Sequence, residues 1–193
     1  MEAILVFVFG AAAILAAPGP TNVLLLTAGM LYGWRRALPL ATATIVGYAA
    51  SISILRLVVL PHVPDTAGVR ATLCVAAAAY LYWTARRLWR WQPLAVAVPV
   101  TPRIVFTTTL VNPKGLLLAA VILPRDASVP GPWFLALLVI VLAASASWVV
   151  LGALAGRVGR RTYRDVVPKI AAALLAGLAT ILLALPIEST LGR

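Results

Sequence analysis

Apolar positions in this chain come in long runs, separated by short stretches rich in arginine, proline and glycine. Six runs can be drawn, at about 3–31, 37–60, 69–88, 104–123, 133–155 and 167–185. Each has roughly the 20 residues a helix needs to cross a hydrocarbon layer, and all are too long for barrel strands. A backbone in lipid must satisfy its own hydrogen bonds, so the runs predict α-helices. Turn residues mark the connections: Gly33 after the first run, Pro61 and Pro64 after the second, and Pro130-Gly131-Pro132 before the fifth. The longest connection, about 89–103, contains Pro93, Pro99 and Pro102 and reads as an interfacial loop.

Two of the six runs are interrupted. Pro18-Gly19-Pro20 breaks the first and is followed by Thr21 and Asn22. Both prolines lack an N–H and Gly19 accepts any backbone angle, so the helix should unwind here and restart near Pro20. The fourth run holds Asn112-Pro113-Lys114-Gly115 at its middle. Asn112 suits an N-cap and Pro113 a first helical position, which puts Lys114 on the opening turn of a second half-helix. A cation there opposes the helix dipole, and charge at that depth costs about 2.5–3.5 kcal/mol on insertion scales. Helix stability therefore does not explain Lys114, whereas an anionic partner would. No acidic residue falls within the six runs, so the partner expected is a carboxylate brought by a substrate. A snorkelling lysine is the plain alternative, but apolar residues separate Lys114 from both ends of its run. Pro/Gly-interrupted membrane segments in corresponding places of two halves point to a transporter site. Lys114, Asn112, Thr21 and Asn22 are the candidate binding side chains, with Pro18, Gly19, Pro20 and Pro113 shaping the unwound backbone.

Composition agrees with this pattern and adds a direction. Of 193 residues, 63% are hydrophobic, and the mean hydropathy is +1.02. The chain reads as one polytopic membrane domain over 1–193, an all-α integral membrane protein of six transmembrane helices. The net charge of +11 does not mark a nucleic-acid partner, because the basic residues lie between apolar runs. Eleven of them flank the odd-numbered connections: Arg35 and Arg36; Arg86, Arg87, Arg90 and Arg103; Arg157, Arg160, Arg161, Arg164 and Lys169. Arg56, Arg70, Arg125 and Arg193 are on the other side, where four of the five acidic residues also lie. The positive-inside rule then makes the odd connections cytoplasmic and puts both termini outside. Arginine outnumbers lysine 14 to 2 and alanine is abundant, which suggests a bacterial cell membrane with a GC-rich genome.

Other chemistry is thin. One His62, one Cys74 and no carboxylates within the runs offer no metal site and no cofactor site. Paired carboxylates and a Ser/His constellation are missing, so an enzyme is not expected. Cleavage of a leader after Ala17 is disfavoured: Glu2 replaces the usual basic residue, Pro18 would follow the cut, and apolar sequence resumes at once. Arg56 could snorkel outward. Tyr80 and Tyr82 could touch a substrate or approach the interface, and Thr107, Thr108 and Thr109 could line a pathway or bond their own backbone. Trp34, Trp89, Trp91 and Trp133 read as interface anchors. The Ala43/Gly47 pair reads as a close helix contact.

The motifs together resemble the LysE/RhtB family of amino-acid exporters. The resemblance is carried by Ala17-Pro-Gly-Pro-Thr-Asn-Val-Leu-Leu-Leu26, Gly33-Trp-Arg-Arg-Ala-Leu-Pro39 leading to Gly47, Ala77-Ala-Ala-Tyr-Leu-Tyr82, and Phe106-Thr-Thr-Thr-Leu-Val-Asn-Pro-Lys-Gly115. These cover the first two thirds of the chain, in the family's order. The chain departs from the family at Thr21, where Asn is usual, at Ala43 and Ala77, where Gly is usual, and at Gly115. The resemblance implies six spans in a 3+3 inverted repeat with helices 1 and 4 broken and facing each other. It also implies export of amino acids or similar small metabolites, coupled to protons. Two other readings stay open at this stage: a related transporter of a lipid conjugate or an ion, and a non-transporting scaffold. A homo-oligomer is open as well.

Overall fold

The structure, a computed structural model, describes residues 2–63, 67–90, 99–124, 128–158 and eight positions between Lys169 and Leu183. Among these residues every regular element is helical. α1 is Glu2–Ala16, α2 Pro20–Tyr32, α3 Trp34–Ala37 and α4 Leu40–Ile54, which runs on as a π-helical stretch, Leu55–Val59, and a 3₁₀ turn, Leu60–His62. α5 is Ala67–Trp89, α6 Pro102–Leu110, α7 Pro113–Leu117 with a π-helical continuation Leu118–Ile122, and α8 Pro132–Val158. The basic connection around 160–164, the centre of the 89–103 connection and most of the sixth apolar run lie outside the described residues.

Two helical stretches, Trp34–His62 and Pro132–Arg157, are long and apolar enough to cross a bilayer unaided. Two bent pairs raise the number to four if each pair is one span: Phe7–Ala16 with Pro20–Tyr32, bent by 63°, and Pro102–Leu110 with Pro113–Ile122, bent by 48°. Both bends fall at the expected prolines, where a missing N–H breaks the ladder. α5 has the length, 23 residues, but Arg70 at one end, Arg86 and Arg87 at the other, and Tyr80, Tyr82 and Thr84 between them make it less apolar.

The packing fixes relative directions. Glycines let α2 and α8 meet backbone to backbone: a Cβ on Gly29 would overlap the Val149 carbonyl, one on Gly152 the Leu26 carbonyl, and Gly156 sits against Met30. The Leu26–Gly152 and Met30–Gly156 pairs advance in the same order along both helices, so α2 and α8 are parallel. α4 is parallel to the α6–α7 pair, with Gly47 against Thr109 and Ser51 against Gly115. The two bent pairs are antiparallel to each other. Gly10 meets Ile122 near their outer ends, Thr21 meets Thr109 at the bends, and the Val100 N–H donates to the Tyr32 hydroxyl at the far end, 3.2 Å away. The first and fifth runs thus share a direction, and the second and fourth share one, as a chain that zigzags between two faces requires. The same contacts gather Arg35, Arg36, Arg103 and Arg157 toward one end of the bundle.

Large aliphatic side chains face outward along this bundle, among them Val46, Leu57, Val58, Val139 and Leu151. Such a surface suits contact with lipid tails. Arg56 is half-buried and reaches across to α7's continuation, donating to the carbonyls of Ala119 at 3.3 Å and Pro124 at 2.7 Å. The expected outward snorkelling gives way to a clamp on carbonyls that a π-helical end leaves without amides.

Candidate functional site

The site begins where the two bends touch. Ala17, Pro18 and Gly19 leave the helical path after α1, and Gly19 takes an extended conformation (φ −156°) before α2 restarts at Pro20. Gly19 caps α2 with no side chain. Across from it, Asn112 is extended (φ −74°, ψ 122°) and caps α7, its Oδ1 accepting from the Lys114 amide at 3.1 Å. That is the N-cap geometry the sequence predicts for Asn-Pro. Asn112 Nδ2 is turned the other way and donates to Thr21 Oγ1 at 3.1 Å. Thr21 and Thr109 hydroxyls are 3.2 Å apart, and Thr109 donates to the Val105 carbonyl at 2.7 Å. One polar chain therefore runs from the end of α6 through the start of α2 to the start of α7.

The second half of the site sits at the end of α1. Asn22 Nδ2 donates to the carbonyls of Leu15 and Ala17, each at 2.8 Å. The Lys114 ammonium also donates to the Ala17 carbonyl. Each of these groups answers a need of the broken helix. An α-helix that stops leaves its last carbonyls without amides and a partial negative charge. Asn22, one turn into the next helix, reaches back to fill them, and Lys114 brings a full positive charge from the opposite span. Gly19 leaves room for this approach, since a Cβ there would stand 3.1 Å from Lys114 Cε. Lys114 is 3% exposed, and among the described residues its ammonium, with three donors, meets one acceptor.

The residues singled out in the sequence fall into three groups. Lys114, Asn112, Thr21, Asn22 and Gly19 converge and are buried. Pro18 is buried and shapes the first bend; Pro113 is half-buried and Pro20 exposed, so both act through the backbone. Asn22 does not line an open anion socket, because its amide is spent on α1's carbonyls. The nearest negative partner of Lys114 is likewise the dipole end of α1. Sequence reasoning missed that partner because a backbone carbonyl has no letter in the sequence. It also missed Thr109 as a link in the polar chain, although the run Thr107 to Thr109 had drawn notice. Thr107 bonds its own backbone, donating to Arg103 and Ile104 carbonyls.

A cavity of about 240 Å³ lies beside the second bend, between α4 and the α6–α7 pair. Ser51, Val111 and Asn112 border it, with aliphatic walls from Ile54, Leu55 and Leu116. No group of three or more His, Cys, Asp or Glu occurs among the described residues, so no metal centre is drawn. The chain matches no protein-family model, no curated protein and no solved structure.

Proposed function

We propose that this chain is a secondary transporter that exports amino acids or similar small carboxylate-bearing metabolites by alternating access, coupled to protons. In this reading it has six spans in a 3+3 inverted repeat, lies in a bacterial cell membrane with both termini outside, and is a relative of the LysE/RhtB exporters that its motifs resemble. One observation carries the reading: a lysine buried at the crossing of two broken, antiparallel spans, held by a helix-end carbonyl in place of a carboxylate. A partial charge is a weak counter-ion for a full one, and among the described residues two of the ammonium's three donors have no acceptor, which suits a substrate carboxylate. Buried charge of this kind marks transport pathways in membrane proteins.

The test is export. Cells expressing the chain and cells expressing equal amounts of Lys114→Met are compared for amino acids accumulating in the medium. A rise with the parent that the variant loses supports both the exporter and its site. Export that persists in Lys114→Met keeps the exporter and removes the site. A second reading keeps the architecture and changes the cargo to a lipid conjugate. The aliphatic walls of the cavity beside Val111 favour it, and an unchanged medium with altered export of acylated amino acids would select it.

A further inference from the structure

Two buried hydroxyls have no hydrogen-bond partner among the described residues: Tyr48 Oη and Thr84 Oγ1. Neither belongs to the polar chain described above. Tyr48 is 1% exposed and Thr84 9% exposed. An orphaned hydroxyl is costly inside any protein, and costlier where no water competes. Thr84 sits within α5, where a threonine ordinarily bonds the carbonyl one turn back, and it forgoes that bond.

Tyr48 stands on the α4 face that meets the second bend. Thr44, Gly47, Tyr48 and Ser51 are buried together at the spacing of one helix face. Gly47 touches Thr109, and Ser51 touches Gly115, the neighbour of Lys114. Tyr48 shares its buried cluster with Ile14 and Ala17 at the end of α1, Leu81 on α5 and Leu117 on α7. Tyr48 thus packs in the same buried cluster as Ala17, whose carbonyl takes the Lys114 ammonium. Among the described residues, the groups there with donors unspent are Lys114, with two N–H, and Tyr48, whose hydroxyl can donate as well as accept. A surplus of donors calls for a group that only accepts, and a carboxylate does so with two oxygens.

We infer that Tyr48 is a further substrate-binding residue, whose hydroxyl donates to the same carboxylate that Lys114 holds. This rests on the carboxylate-exporter reading above. A zwitterionic amino acid meets three donors through its carboxylate, while the amide of the same compound loses the charge that makes those bonds strong.

Inside-out membrane vesicles give the test, with each radiolabelled proteinogenic amino acid supplied singly to the parent chain and to Tyr48→Phe. Removing one hydroxyl from a carboxylate raises KM about tenfold or more. Tyr48→Phe should do this while its thermal unfolding temperature stays level or rises, because an orphaned polar atom has gone. Competition by the corresponding amino-acid amide should be equally weak in parent and variant. An unchanged KM in folded Tyr48→Phe overturns the inference and leaves the exporter intact. The inference also falls if the amide competes as well as the acid in the parent. If the parent moves no amino acid, the exporter reading fails and this inference with it.

Discussion

The two bends share a backbone and differ in chemistry. Each has a helix ending, one or two extended residues, and a restart on proline. The first bend is poor in side chains and rich in carbonyls that the helix ladder leaves without amides; nothing caps α2 except backbone, and Asn22 must turn back to serve α1. The second is self-sufficient at its restart, because Asn112 caps α7, and it has a cation to spare. One bend offers acceptors and the other donors, so each is incomplete alone. The difference teaches that the crossing is held by complementarity between two unlike breaks; under the proposed function, the side with surplus donors is the one that would meet a substrate's anion.

That contrast separates stability from recognition. Asn22→Leu should damage the fold most. It strips the Leu15 carbonyl of its side-chain donor and the Ala17 carbonyl of one of two, a loss of roughly 2–4 kcal/mol that denaturant titration in detergent would register. An effect no larger than that of an exposed substitution would show that α1's end is satisfied by other means. Asn112→Ala should cost less, about 0.5–2 kcal/mol for a lost cap. It should also loosen Thr21, so pairing it with Thr21→Val in a double-mutant cycle should give a non-additive result. Lys114→Met should change stability by about 1 kcal/mol or less in either direction, since removing a weakly paired buried charge offsets its lost contact. The same variant should lose export, and a large stability loss in it would mean that Lys114 is structural. Gly115→Ala should have the smallest effect, below about 1 kcal/mol. The new Cβ would stand 2.6 Å from Ser51 Oγ, and Ser51→Ala in the same chain should relieve it; failure of that rescue would trace the effect to the α7 backbone instead.

Much of the architecture was legible from the sequence. Pro18-Gly19-Pro20 and Asn112-Pro113 stand at the observed bends because a missing N–H acts locally, whatever surrounds it. The Asn112 cap was legible for the same reason. The second and fifth runs are helices of spanning length, since hydropathy over a long window picks out a stretch apolar enough to cross a bilayer. Their ends moved by a few residues, the second extending to His62 and the fifth to Val158. The α2–α8 contact was not legible: Gly29 and Gly152 are common residues in membrane helices, and nothing in the local sequence names their partners.

By itself, then, the sequence determined an all-helical chain with breaks in its first and fourth runs and a cation at the second break, because each depends on a residue's own bonding groups and its immediate neighbours. Tertiary structure alone decided who meets that cation. The Ala17 carbonyl is a main-chain group that every residue possesses, and it became the partner of Lys114 only when two antiparallel spans crossed at their bends. Packing likewise leaves the buried Tyr48 hydroxyl without a hydrogen-bond partner among the described residues. Hydrogen-bond satisfaction in a membrane interior is settled by what comes within about 3 Å, and a linear sequence does not carry that distance.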